Sequence, residues 1–370
     1  RLIVYIFDKK CKLELLDQVE IVWIEDLDIN NFKQFAFKYD VIELTTAFKP
    51  LLAQRLLAKF NKVIFLDPDT HLYSSLNCVT ELLDRYPIIL TPHYTTPQPS
   101  SEYESDLPMM RFGSFNLGFF AVRNDIETHS FLRWWNQRCM ELCFMESQSG
   151  LSVDQKWISI APCFFKNIHI TFNLGLNVAA WNTFERYITV SSEGTYIVNE
   201  KYPLIFFHFS NFKHEDPGYL LKRATSEKGE HYPSIEKIGR EYSIKINNYS
   251  SILPSSSYAY DYFSDGTYIS PLLRKAYVCM YGDLNHEHDP FDANGPIMKF
   301  AKKNHLYTRS SIPYSYPTHR ELAGYSKGVW LVSKLMRLTL FLIGPHRFLH
   351  LSRFLIHLSV YRKNRDLWQI

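Results

Sequence analysis

Short apolar runs of strand length punctuate the first 210 or so residues, separated by stretches whose apolar positions return at helical spacing. The runs at 2 to 7, 20 to 24, 62 to 66, 87 to 91, 117 to 123 and 204 to 208 are predicted strands. Leu51, Leu52, Leu56 and Phe60 recur on one side of a predicted helix, with Pro50 suited to its first turn. A second helix is expected over roughly 125 to 144, opened by Asn124-Asp125 and burying Phe131, Trp134, Trp135 and Leu142. Strands alternating with helices predict an α/β domain on a mainly parallel sheet covered on both faces.

The pattern then changes twice. From about 211 to 265 the chain is polar, rich in Ser, Tyr, Lys and Glu, and has no clear period, as connecting structure would. Residues 326 to 360 are strongly apolar, yet Lys334 and Arg337 stand in the middle of the first apolar stretch, which makes it a poor bilayer-spanning segment. Beyond Gly344-Pro345, Phe348, Leu349, Leu351, Phe354, Leu355 and Leu358 alternate with His346, Arg347, Arg353 and His357, followed by Arg362, Lys363 and Arg365. Two basic amphipathic helices are predicted, suited to an anionic membrane surface or to packing on the catalytic domain.

Composition narrows the function classes. Of 370 residues, 46% are apolar and 16% aromatic, which excludes a disordered chain, and a net charge of +3 gives no whole-molecule attraction to nucleic acid. Six cysteines at irregular spacing, without a CxxC pair, indicate neither a zinc site nor a disulfide framework, and fit a reducing cytoplasm. Cys139 and Cys143, one helical turn apart, are expected to pack. The chain opens directly on the apolar run that starts at Arg1-Leu2-Ile3, so an α/β domain is expected to have further residues before it.

Candidate chemistry centres on Asp67-Pro68-Asp69, which follows the apolar run Val63-Ile64-Phe65-Leu66. Two carboxylates at the carboxyl end of a strand lie where open α/β sheets bind ligands, and a hard divalent cation prefers such oxygen ligands. On its own, an acidic pair after a strand serves equally as a turn. His208 ends the apolar run Leu204-Ile205-Phe206-Phe207; a satisfied core histidine is the reading from composition, and a third metal ligand is the reading beside the carboxylates. Asp154 precedes an expected helix and could cap it. Asn116, spaced Asn-x-Gly with Gly118, suits close approach to a ligand. Asn177, Trp181 and Asn182 form a polar-aromatic loop, either a sugar platform or core. His71, His93, His169 and His214 are read as structural.

These segments carry a resemblance. Lys62-Val63-Ile64-Phe65-Leu66-Asp67-Pro68-Asp69-Thr70 resembles the Asp-x-Asp region of glycosyltransferase family 8, the glycogenin-like enzymes. Phe115-Asn116-Leu117-Gly118 is similar to that family's Phe-Asn-x-Gly strand, Asp154-Gln155 to its Asp-Gln pair, and His208 through Lys213 to its His-x-x-Gly-x-x-Lys motif, with Asn211 in place of Gly and Lys213 one residue early. A broader resemblance to bacterial family-8-like enzymes of surface-polysaccharide type rests on Tyr39-Asp40-Val41-Ile42-Glu43-Leu44-Thr45-Thr46-Ala47-Phe48-Lys49-Pro50, Val153-Asp154-Gln155-Lys156-Trp157, Asn177-Val178-Ala179-Ala180-Trp181-Asn182 and Asp289-Pro290-Phe291-Asp292.

The resemblance implies a GT-A fold, Rossmann-like and mainly parallel, with a mostly helical C-terminal extension. It implies a catalytic domain over 1–225 and a family-specific extension over 226–325, beside which the basic amphipathic helices read from the residues themselves over 326–370 are expected to serve either membrane-surface attachment or packing. It also implies transfer of a sugar from a nucleotide-sugar, a UDP-sugar in the first instance, to a glycan or lipid-linked hydroxyl with retention, in cell-surface polysaccharide synthesis at the inner face of the cytoplasmic membrane. Mn²⁺, or Mg²⁺, would be held by Asp67, Asp69 and His208. Lys49, Gln155 and Lys213 would hold the donor, with Asp154 and Asn116 beside the reacting sugar. The alternatives are a sugar-phosphate nucleotidyltransferase, for which no Gly-rich basic loop is visible, and a catalytically idle membrane-attached scaffold.

Overall fold

The computed structural model describes residues 1–13, 18–98, 106–216, 218, 220, 232–250, 257–280, 288–308 and 326–368. The chain divides into two compact units, one of residues 1–10, 20–41 and 256–370, the other of residues 11–19 and 42–255. The first strands therefore group with the C-terminal part of the chain. The boundaries expected at 225 and 325 lie outside the described residues.

In the unit that contains the chain's start, β1 (Leu2–Ile6) pairs with β2 (Val19–Trp23). Helix α1 (Phe32–Lys38) is locked at its carboxyl end by Arg274, which is 3% exposed and donates to the carbonyls of Ala36, Phe37 and Tyr39 at 2.7, 2.9 and 2.8 Å. A guanidinium there satisfies carbonyls that the helix leaves open and meets the negative end of its dipole.

Nearly all of α2 (Val41–Leu57) belongs to the other unit. Pro50 was expected in a first turn, but it lies inside this helix, which reaches nine residues further upstream than the apolar stripe after Pro50 suggested. Strands β3 (Lys62–Leu66) and β4 (Thr70–Leu72) are followed by α3 (Asn77–Arg85), β5 (Ile88–Pro92), α4 (Leu107–Phe112) and β6 (Phe115–Arg123). Helix α5 (Ile126–Leu142) starts where the sequence placed it, with the Asp125 carboxylate accepting from the Glu127 amide at 2.9 Å. It buries Phe131 and Trp135 as expected, while Trp134 and Leu142 are only half-buried and Leu132 and Cys139 complete its inner face.

Past α6 (Gln155–Ile158) come β7 (Ile168–Ile170), β8 (Val178–Ala179), β9 (Ile188–Val190), β10 (Tyr196–Val198), β11 (Tyr202–Pro203) and β12 (Phe206–His208). The run from 204 shrinks to β12 because the Leu204 amide bonds to Tyr196 and that of Ile205 to Gly175.

The mainly parallel sheet is not what forms. A four-stranded sheet of order β3-β6-β5-β7 pairs β6 antiparallel to both β3 and β5, and only β5 with β7 in parallel. A second sheet, β4-β12-β8, is likewise mixed, and β9 to β11 form an antiparallel meander. The architecture is mixed α/β. Strand β6 has eight of its nine residues buried, so both of its faces are covered.

The final helix, Ser326–Leu358, is broken at Gly344, whose φ of 75° and ψ of 167° are not helical, so two helices flank Gly344-Pro345 as expected.

Candidate metal centre

Strand register assembles the centre. The β3–β6 ladder ends at Leu66 opposite Phe119 and is extended by the Asp67 amide donating to Gly118 O at 2.8 Å. The chain turns through Pro68 and re-enters a sheet as β4, where Thr70 faces His208 of β12 and the Phe209 amide donates to Asp69 O at 2.7 Å. That pairing brings the imidazole to Asp69, with Nε2 3.1 Å from Oδ1. Donor atoms of Asp67, Asp69 and His208 all fall within 4.8 Å of one another.

Solvent reaches this cluster from the carboxylate side: the side chains of Asp67 and Asp69 are 25% and 42% exposed, that of His208 5%. Two carboxylate oxygens and an imidazole nitrogen are a ligand set for a divalent cation, and the imidazole favours Mn²⁺ over Mg²⁺. Burial pushes the Asp69 carboxyl up, but the hydrogen bond and charge of His208 outweigh it and hold the carboxyl below its usual value.

Beneath the pair lies Lys49, buried in the middle of α2. Its ammonium donates to Leu117 O at 2.9 Å and ion-pairs with Asp67 at 3.0 Å and, at the longer distance of 3.5 Å, with Asp154, whose buried Oδ2 has no hydrogen-bond partner. Burial disfavours the charge, yet Asp154 and Asp67 together raise its pKa above the ordinary lysine range. Asp154 is 2% exposed, and its carboxyl is pushed up to about 6, by burial first, with Lys49 opposing and Asp67 adding to the rise.

The capping role open to Asp154 is not realised, since its side chain makes no cap bond to α6. The preceding Val153 has φ of 42°, a left-handed backbone that a β-branched residue adopts only under constraint. Three carboxylates against one ammonium leave two negative charges in the cluster, which a divalent cation would balance.

A buried amide network sets the imidazole. The Gly118 amide, a donor only, meets Asn116 Oδ1 at 3.1 Å, so the Asn177 atom 3.0 Å from that oxygen must be the donor Nδ2. Nδ2 also donates to Thr91 Oγ1 at 3.0 Å, leaving Asn177 Oδ1 to accept from His208 Nδ1 at 3.2 Å. Asn177 therefore keeps a proton on Nδ1, and Nε2 is the ring nitrogen turned toward Asp69, the one that would ligate a cation. Trp181 packs edge-on against His208 at 5.2 Å and donates to His93 O at 3.1 Å, as Asn182 does at 3.0 Å.

Lys49, Asp67, Asp69, Asn116, Asp154 and His208 are thus brought together. Gln155 instead donates to Phe112 O at 3.1 Å, at the end of α4, and Lys213 is exposed in the segment after β12. Thr91 and His93 belong to the network without having been singled out as functional; neither residue has a sequence signal beyond closing or following β5.

Gly118 explains itself sterically. A Cβ there would lie 2.3 Å from His208 Cε1 and 2.6 Å from Nδ1. Gly118→Ala should lower stability by about 1–3 kcal/mol as the imidazole is displaced, and weaken Mn²⁺ binding. Urea denaturation and Mn²⁺ titration check this, and unchanged Mn²⁺ affinity would remove His208 from the centre.

No family model matches the chain. It is 34% identical over 127 residues to the Uncharacterized protein YfnD of Bacillus subtilis (strain 168), a match covering 34% of this chain and 38% of YfnD. It is 26% identical over 216 residues to the Uncharacterized protein YfnF of the same organism, covering 55% of this chain and 67% of YfnF. The matched stretch is thus well under half of YfnD and about two thirds of YfnF. Neither name states an activity.

Proposed function

We propose that this centre belongs to a metal-dependent glycosyltransferase, one that moves a sugar from a nucleotide-sugar to an acceptor hydroxyl. The observation that carries the reading is the convergence of Asp67, Asp69 and His208 within 4.8 Å, backed by the buried Lys49 between Asp67 and Asp154. A family-8-like enzyme with a GT-A fold is the reading that the ordered motifs favour.

Asp67, Asp69 and His208 would hold the cation, which when bound supplies positive charge against a departing diphosphate. Lys49 is committed to its two carboxylates and balances the site's charge from below, a role more indirect than donor-phosphate contact. Asn116 and Asp154, both buried, would be the groups that orient the donor sugar. The acceptor oxygen bonds to the anomeric carbon, the bond from that carbon to the diphosphate oxygen breaks, and the hydroxyl proton passes to the departing phosphate or to solvent. Retention of configuration follows from the resemblance.

The test is a thermal-shift panel of nucleotide-sugars with and without Mn²⁺. A UDP-sugar at about one hundred times its Kd should add about 2.7 kcal/mol of stability, with Mn²⁺ present and not with EDTA. Slow release of UDP and free sugar should accompany it. Pyrophosphate formation from a nucleoside triphosphate and a sugar phosphate would point instead to a nucleotidyltransferase, and no nucleotide binding at all to an idle scaffold.

A further inference from the structure

Charge along the chain is strongly segregated. From Leu322 to Arg365 there is no Asp or Glu, while Lys327, Lys334, Arg337, Arg347, Arg353, Arg362, Lys363 and Arg365 contribute eight positive charges. The whole chain carries +3, so everything outside this stretch sums to −5. The modest net charge conceals an acidic body with a strongly basic end.

The same stretch exposes its apolar side chains. By length and composition Gly328–Leu358 could cross a membrane, and none of its apolar window is buried against the rest of the chain. Trp330, Phe341 and Leu342 are 61%, 85% and 70% exposed, and Phe354 and Ile356 are 56% and 62%. A helix apolar around most of its girth finds no stable place in water and needs an apolar medium.

Geometry argues for lying in the membrane surface over spanning it. The first helix runs for about 27 Å from Ser326 to Ile343 at 1.5 Å per residue, only at the lower limit of a hydrocarbon thickness of roughly 30 Å. Lys334 and Arg337 stand at its middle, where a spanning helix would bury them, whereas a helix in the interface plane lets both reach the headgroups. Gly344 then breaks the backbone.

In the second helix His346, His350, Arg353 and His357 are spaced by four, three and four residues, which places them on one stripe, opposite Phe348, Leu351, Leu355 and Leu358. The tail is secured at its far end: Trp368 is 8% exposed and donates to Tyr361 O at 3.2 Å, and the same carbonyl accepts from the Cys279 thiol at 2.9 Å.

We infer that residues 326–358 form a two-helix anchor that lies in the surface of an anionic bilayer, its apolar side chains among the acyl chains and its cations among acidic headgroups. The full chain should float with phosphatidylcholine vesicles containing about a third phosphatidylglycerol and be released by high salt or by alkaline carbonate. It should bind pure phosphatidylcholine far more weakly.

Each cation near the surface is worth about a fivefold change in binding, so the triple variant Lys334→Glu, Arg337→Glu, Arg353→Glu should lose at least roughly a hundredfold, with its thermal midpoint unchanged. Phe341→Ser with Leu342→Ser should weaken binding at any salt concentration. Equal binding to both vesicle types overturns the inference, as does resistance to carbonate, which would mean a spanning helix. Absence of vesicle binding, together with a dimer by light scattering that the serine variant dissociates, overturns it in favour of a second copy of the chain.

Discussion

Lys49→Met is expected to destabilise the protein by about 3–5 kcal/mol, because it strands the buried Asp154 carboxylate and leaves Asp67 without its partner. The loss should depend on pH, and the sign can be worked out. In the parent chain the Lys49 pKa lies above its ordinary value, so its contribution is complete below that value and is lost only as pH rises through the higher folded one, far above neutrality. Between pH 5 and 8 it is constant.

Asp154 behaves oppositely: its folded pKa of about 6 is above the ordinary carboxylate value, so it destabilises the fold progressively as pH rises from that ordinary value to 6, and by a constant amount above. Removing the ammonium, the main opposing influence on Asp154, raises that pKa further. Urea denaturation of Lys49→Met should therefore show a larger deficit at pH 8 than at pH 5, and Asp154→Leu added to it should recover much of the loss, an apolar pair replacing an unpaired charge. A deficit that is the same at both pH values would mean that Asp154 does not share the buried ion pair.

How much of this was legible in the sequence differs by residue. Asp67 and Asp69 were legible because β3 ends in a four-residue apolar run that stops abruptly at acid, and His208 because it closes another such run. Their meeting was not, since it depends on β4 and β12, strands of three residues each, whose pairing of His208 with Thr70 leaves no periodic trace. Asn177 was legible only as loop. It sits at φ of 54° just ahead of the two-residue β8, which pairs in parallel with β12 and so carries the amide to the imidazole.

The parallel sheet was misread for a related reason. Alternating strands and helices imply crossovers only when the helix returns the chain to the same end of the sheet, and here β6 enters antiparallel between β3 and β5. Pro50 misled through a local rule that its context overrides. The helix continues upstream through Leu44, Ala47 and Phe48, all fully buried, and packing outweighs the hydrogen bond that an interior proline removes.

The network around His208 yields the other large effect. Asp69→Asn removes a charged ligand and should abolish measurable Mn²⁺ binding, a loss beyond the roughly 10–100-fold that follows removal of an outer-shell partner. Asn177→Gly should fall within that 10–100-fold range: glycine accepts the left-handed backbone at 177, so the substitution deletes the amide without straining the chain. Calorimetric titration with Mn²⁺ measures both.

A purely structural role for Asn177 would lower stability alone, so a second readout separates the cases. Nitrogen NMR of His208 should show Nδ1 protonated, because Asn177 Oδ1 can only accept. In Asn177→Gly, which removes that acceptor, protonation of Nδ1 should be partly lost. A parent chain with Nδ1 unprotonated would mean that Asn177 does not orient the imidazole, and Asn177→Gly should then leave Mn²⁺ affinity unchanged.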